Sequence, residues 1–123
     1  RVLNANEVKW LQGLVRRVPV ADEMVEYAVR LVAMSRPGNP AAPQFVREWV
    51  SWGAGPRATQ YLILGAKTRA ILAGRYTPTV EDVMEVALPV LRHRIITNFT
   101  AEAENIRVEE VISRLLDSCP IGG

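Results

Sequence analysis

Apolar residues recur at helical spacing in segment after segment of this chain, and prolines and glycines break the segments apart. That pattern predicts an all-α fold, a small bundle of about four to six short helices. The cleanest stripe is Val80, Val83, Met84, Ala87, Val90 and Leu91. Thr79 stands at its N-terminal border as a cap, with Asp82 three residues on as an imperfect capping box. Upstream, a helix over residues 56–73 places Leu62, Ala66, Arg69 and Ala70 in period, and Gly74 follows in a C′ position. Gly65 inside it costs roughly 1 kcal/mol against alanine, which calls for a close helix contact there.

The remaining segments are read in the same way. A first helix over 5–17 carries Val8, Leu11, Leu14, Val15 and Val18 on one face, with Asn4 or Asn6 as its cap. Val18-Pro19 ends it, because a residue before proline avoids the α region. A second helix over 21–35 begins with Asp22 and Glu23 and keeps Met24, Ala28, Leu31, Val32 and Ser35 in register. Residues 36–43 hold three prolines and a glycine and read as a loop. Residues 44–52 fit either a short helix of one or two turns or a packed extended segment. His93 to Phe99 is β-branched and aromatic, so a short extended or β segment is expected there. A last helix over 108–118 faces the core with Val111, Ile112, Leu115 and Leu116.

With 123 residues the chain is one domain, and its 49% hydrophobic and 23% charged composition is globular. A net charge of +2 is too small for a dedicated nucleic-acid binder. The single cysteine, Cys119, excludes an internal disulfide and agrees with a reducing, cytoplasmic setting. No apolar run approaches the length of a membrane span, and no signal peptide is visible. The chain begins at Arg1, inside a segment that reads as ordered, so a piece of a longer protein is expected.

Gly53-Ala54-Gly55-Pro56-Arg57-Ala58 is the segment richest in chemistry. Pro56 suits the first helical position, and Gly53 and Gly55 leave the approaching backbone uncrowded and free to take positive φ. A helix start offers free N–H groups and partial positive charge, which favour an anion. Arg57 is a cation where the dipole prefers a carboxylate, and local inconsistencies of this kind fall at functional sites. Free N–H groups and a guanidinium in one turn suit a phosphate. On the residues alone, a solvated surface arginine, or one paired with a nearby carboxylate, is the commoner reading, since charges at helix ends are common.

Taken together, that hexapeptide, Ala73-Gly74-Arg75, Glu81-Asp82-Val83 and Val90-Leu91-Arg92-His93-Arg94 resemble the C-terminal lid domain of MoxR-type AAA+ ATPases. The family pattern is Gly-Ala-Ser-Pro-Arg-Ala, then Gly-Arg, Thr-Pro-Glu-Asp-Val and Val-Leu-Arg-His-Arg. Upstream, Val18-Pro19-Val20, Tyr27 and Leu31-Val32 resemble its preceding helices, and Ser35-Arg36 stands where Thr-Arg is usual. Gly55 replaces the family's serine, and Val80 stands where the family has proline.

The resemblance implies that Arg57 is the sensor-2 residue, directed at the γ-phosphate of ATP, with Gly53, Gly55 and Pro56 shaping the nucleotide-proximal turn. ATP and Mg would be bound mainly by a preceding nucleotide-binding AAA+ domain. The parent protein would form a ring, a hexamer by this resemblance, working as a chaperone-like motor that remodels or matures protein complexes. Its client is not identified by these residues. The chain has no Gly-x-x-x-x-Gly-Lys-Ser/Thr loop, no Walker-B strand end and no sensor-1 residue, so it is not expected to hydrolyse ATP alone. The other reading is a freestanding helical module that binds nucleic acid or protein through its arginines.

Other candidates have plain explanations. His93 is the only histidine, so a histidine metal cluster is excluded and no metal is expected. Trp10, Trp49 and Trp52 are expected in the core or in an interface. Arg75 is expected to satisfy the last carbonyls of its helix, and the Glu102-Glu104 and Glu109-Glu110 pairs to be solvated.

Overall fold

A computed structural model describes residues 4–6, 9, 10, 13 and 17–121. Among them are six helices and one two-stranded ribbon. In chain order these are α1 (Asp22–Met34), α2 (Gln44–Trp49), β1 (Val50–Trp52), α3 (Arg57–Leu72), α4 (Val80–Leu91), β2 (Ile96–Thr97), α5 (Phe99–Ala103) and α6 (Val108–Ser118). The all-α reading holds, with a β element confined to five residues. The first helix expected from the sequence lies mainly outside the described residues, including Val8, Leu11, Leu14 and Val15. Those of its residues that are described, such as Ala5, Trp10 and Arg17, are helical.

The core is built from the stripes the sequence displays. Met24, Ala28, Leu31 and Val32 of α1 meet Leu62 and Ala66 of α3, Val83, Ala87 and Leu91 of α4, and Val111, Ile112 and Leu115 of α6. The α3–α4 pair packs most extensively. A Cβ on Gly65 would lie 3.3 Å from Val86, so the glycine lets these two helices approach closely. Pro89 lies inside α4 on its exposed face and, having no N–H, cannot donate to the Glu85 carbonyl one turn earlier. The capping box is complete: Asp82 N–H donates to Thr79 Oγ1, and Thr79 N–H donates to the Asp82 carboxylate.

Residues 44–52 satisfy both of their possible readings, a short helix followed by a strand. β1 pairs antiparallel with β2, Val50 opposite Thr97 and Trp52 opposite Ile96, with an irregularity between the two pairs. Asn98 fixes this junction, its N–H donating to the Trp49 carbonyl at 2.9 Å and its side-chain amide to the Glu48 carbonyl at 2.8 Å. The extended reading of 93–99 is too long. His93 sits in a turn and Phe99 opens α5, because the Asn98 side chain caps that helix by accepting from Ala101 N–H. Among the described residues no helix is long and apolar enough to cross a membrane.

Candidate functional site

The hexapeptide crosses from the end of β1 to the start of α3. Ala54 and Ala58 are fully buried and act as two anchors, while Gly55, Pro56 and Arg57 between them are exposed. Pro56 already has helical angles, φ −57° and ψ −30°, and Arg57 is the first residue of α3 proper. The Ala54 anchor is held by a residue far away in sequence. Its N–H donates at 3.0 Å to Oγ of Ser35, which is itself buried just beyond α1 and donates at 2.7 Å to the Val32 carbonyl. Gly53 runs directly against the same spot. A Cβ there would collide with the Ser35 carbonyl and stand 2.6 Å from the Arg36 Cα.

Two expectations about this turn are corrected. Neither Gly53 nor Gly55 takes positive φ; among the described glycines only Gly74 does, at 77°. Gly53 is needed for close approach and not for backbone freedom. The helix start is also less rich in free donors than its sequence implies. Ala58 N–H donates to the Gly55 carbonyl and Thr59 N–H to the Pro56 carbonyl, so a tight first turn consumes them. The guanidinium, rather than a row of N–H groups, is what this turn offers an anion.

Gly55 has nothing within 4 Å of its would-be Cβ and an ordinary φ. Gly55→Ser is therefore accommodated, and it removes backbone freedom from the unfolded chain. The unfolding free energy from urea titration is expected to rise by a few tenths of a kcal/mol, with an unchanged m-value.

Arg57 is exposed, and among the described residues it meets no carboxylate and no hydrogen-bond acceptor; the first turn of α3 contains no acid. Of the two plain alternatives, the ion-paired arginine is thus not the one found. Arg36, another exposed arginine, is brought beside Gly53. With Pro37, Asn39, Trp52, Gly53 and Gly55 it borders a cleft of about 650 Å³ that Arg57 does not line.

Several other arginines are committed to the protein, although the side chains of Arg36 and Arg107 are exposed and, like that of Arg57, meet no partner among the described residues. Arg75 grips Asp82 with both terminal nitrogens, Nη1 and Nη2 each at 2.6 Å, and Arg69 Nε adds a third bond at 3.1 Å. The side chain of Arg75 therefore does not cap carbonyls as expected; its backbone N–H does, donating to Ala70 at 2.8 Å in the turn made by Gly74. Arg92 pairs with Glu109 at 3.4 Å, and Arg94 lies over the Tyr61 ring at 4.4 Å while donating to the Val90 carbonyl. Glu104 is not merely solvated, since it accepts from Trp49 Nε1 at 3.1 Å. Trp49 is buried as expected, whereas Trp10 and Trp52 are 67% and 71% exposed.

Asp82 is almost wholly buried, and the Arg75 guanidinium, helped by Thr79, holds its carboxyl well below the ordinary 3.8, at about 2. A carboxylate depressed in the folded state adds stability that is complete above its unfolded pKa and is lost as pH falls through the folded one. The shift corresponds to about 2 kcal/mol, lost between about pH 4 and pH 2. Urea unfolding followed from pH 6 to pH 2 should show this slope, and Asp82→Asn should flatten it while lowering stability at pH 6.

Residues 42–115 match the AAA lid domain family. The chain belongs to that family. This AAA lid domain is also similar to Chaperone MoxR1 of Mycobacterium tuberculosis, 34% identical over 118 residues, which cover 96% of the chain and 31% of that relative. Its fold matches a crystal structure from Cytophaga hutchinsonii, provisionally assigned as an ATPase, with a TM-score of 0.85, 30% identity and coverage of 96% of this chain and 36% of that one. The AAA lid domain thus spans about a third of the length of each of these two relatives, and the resemblance to MoxR proteins holds across nearly its whole sequence.

Sequence reasoning missed Ser35 and Asp82 as organising residues. Ser35 is visible in the sequence only as a polar member of an apolar stripe, and that is a usable signal. Asp82 reads as part of the cap, with no hint that it also gathers two arginines.

Proposed function

We propose that residues 1–123 are the lid of a MoxR-type AAA+ ATPase and that Arg57 acts as its sensor-2 residue, meeting the γ-phosphate of ATP held by a preceding α/β domain. The observation that carries this reading is the state of Arg57, an exposed guanidinium without a partner among the described residues, on a turn anchored on both sides by buried alanines. A guanidinium is a rigid, permanently charged fork of donors, and phosphoryl transfer is accelerated by charge placed on the phosphate oxygens. The residues present fit the terminal phosphate of a nucleotide and little more of it. ATP and Mg²⁺ would be bound mainly by the preceding domain.

Because the arginine belongs to the lid and the phosphate to another domain, loss of the γ-phosphate would free the lid to move, coupling hydrolysis to conformational change. The partners in this reading are the chain's own ATPase domain and neighbouring protomers of a ring, taken as hexameric. Trp52, Ile96, Phe99 and Leu72, all large and exposed, favour burial in such an assembly over a freestanding monomer. The ring would remodel client proteins as a chaperone-like machine. Steady-state ATP turnover of a protein carrying both domains, compared with its Arg57→Ala variant, tests the reading; equal rates would overturn it.

A further inference from the structure

We infer that Ser35 is a positioning residue for Arg57, an assignment that rests on the sensor-2 reading. A serine just past a helix C-terminus is satisfied by a local carbonyl, here that of Val32 at 2.7 Å. Ser35 goes further and accepts the Ala54 N–H at 3.0 Å across a sequence separation of 19. Both ends of this bond are sealed from water, Ser35 and Ala54 each being fully buried. Water therefore cannot take over for the hydroxyl if it is removed.

The bond matters because Ala54 lies so close to the arginine. Only Gly55 and Pro56 separate it from Arg57, and the proline fixes one of the intervening torsions. The path from the Ser35 hydroxyl to the guanidinium is thus short and stiff at its base. The Gly53 backbone packs on the Ser35 carbonyl and the Arg36 Cα, so the same residue sets the turn by contact as well as by hydrogen bond. Ser35 thereby ties the end of α1 to the start of α3, and a shift of α1 is carried directly to the arginine.

The test is a double-mutant cycle on ATP turnover in a protein carrying both the lid and its ATPase domain, at a temperature where circular dichroism finds every variant folded. Ser35→Ala is expected to lower kcat about tenfold with KM changed less than about twofold, the size of effect that misplacing one catalytic group produces. Ser35→Thr, which keeps the hydroxyl, should stay within about threefold of the parent. In an Arg57→Ala background, Ser35→Ala should cost less than about twofold, because the arginine it positions is gone.

A tenfold loss that persists in that background is the result a general loosening of the lid would give, and it overturns the inference. So does a Ser35→Ala variant with parental kcat while Arg57→Ala is impaired, an outcome that leaves the sensor-2 reading standing. If Arg57→Ala itself turns over ATP normally, both fall together.

Discussion

Gly53→Ala is expected to destabilise the domain by about 3 kcal/mol, lowering the thermal midpoint by about 10 °C. The added methyl would meet backbone, with the Ser35 carbonyl and the Arg36 Cα in its path, and no flexible side chain can swing aside. Relaxation is blocked on both flanks. Ala54 is buried and bonded to Ser35, and Val50 to Trp52 are paired with β2. The cost comes from close approach alone, since Gly53 has no positive φ that would strain an alanine. Calorimetry of the parent, Gly53→Ala and Gly55→Ser checks the point. Two glycines separated by a single residue should respond oppositely, and a Gly53→Ala midpoint within about 2 °C of the parent would show the contact to be soft.

That contrast marks where the sequence was legible and where it was not. Helical period is a local property, and α1, α3, α4 and α6 were readable because each carries its own core stripe. The cap of α4 was readable for the same reason, Thr79 and Asp82 being one turn apart. The boundary between α2 and β1 depends on Asn98, about fifty residues downstream, which bonds the carbonyls of Glu48 and Trp49. No local pattern in residues 44–52 encodes that partner. The helix α5 escaped because Ile95 to Thr97 pulled the reading towards an extended segment, although Asn98 is an ordinary N-cap signal. At the site, Arg57 was visible through its misfit with the helix dipole. The distinct duties of Gly53 and Gly55 were not, since only the packing against Ser35 separates them.

Arg57→Ala is expected to cut ATP turnover roughly 100-fold in a protein carrying both domains, the loss typical of removing one donor aimed at transition-state charge. The fall should appear in kcat more than in KM if the contact is made chiefly as charge develops on the phosphate. Arg57→Lys keeps the charge and loses the planar fork, so an intermediate loss of about tenfold is expected. Stability should move the other way. Arg57 touches no partner among the described residues, and a cation at the first residue of α3 opposes the helix dipole by about 0.3–1 kcal/mol. Alanine removes that repulsion and is the best helix former, so the thermal midpoint of the lid should hold or rise slightly. A structural arginine would behave differently, losing stability and activity together. Turnover lost while stability is kept is the signature of a side chain placed for a ligand at the expense of its own helix. Parental turnover in Arg57→Ala, or a midpoint lowered in proportion to the lost rate, would remove the arginine from the mechanism.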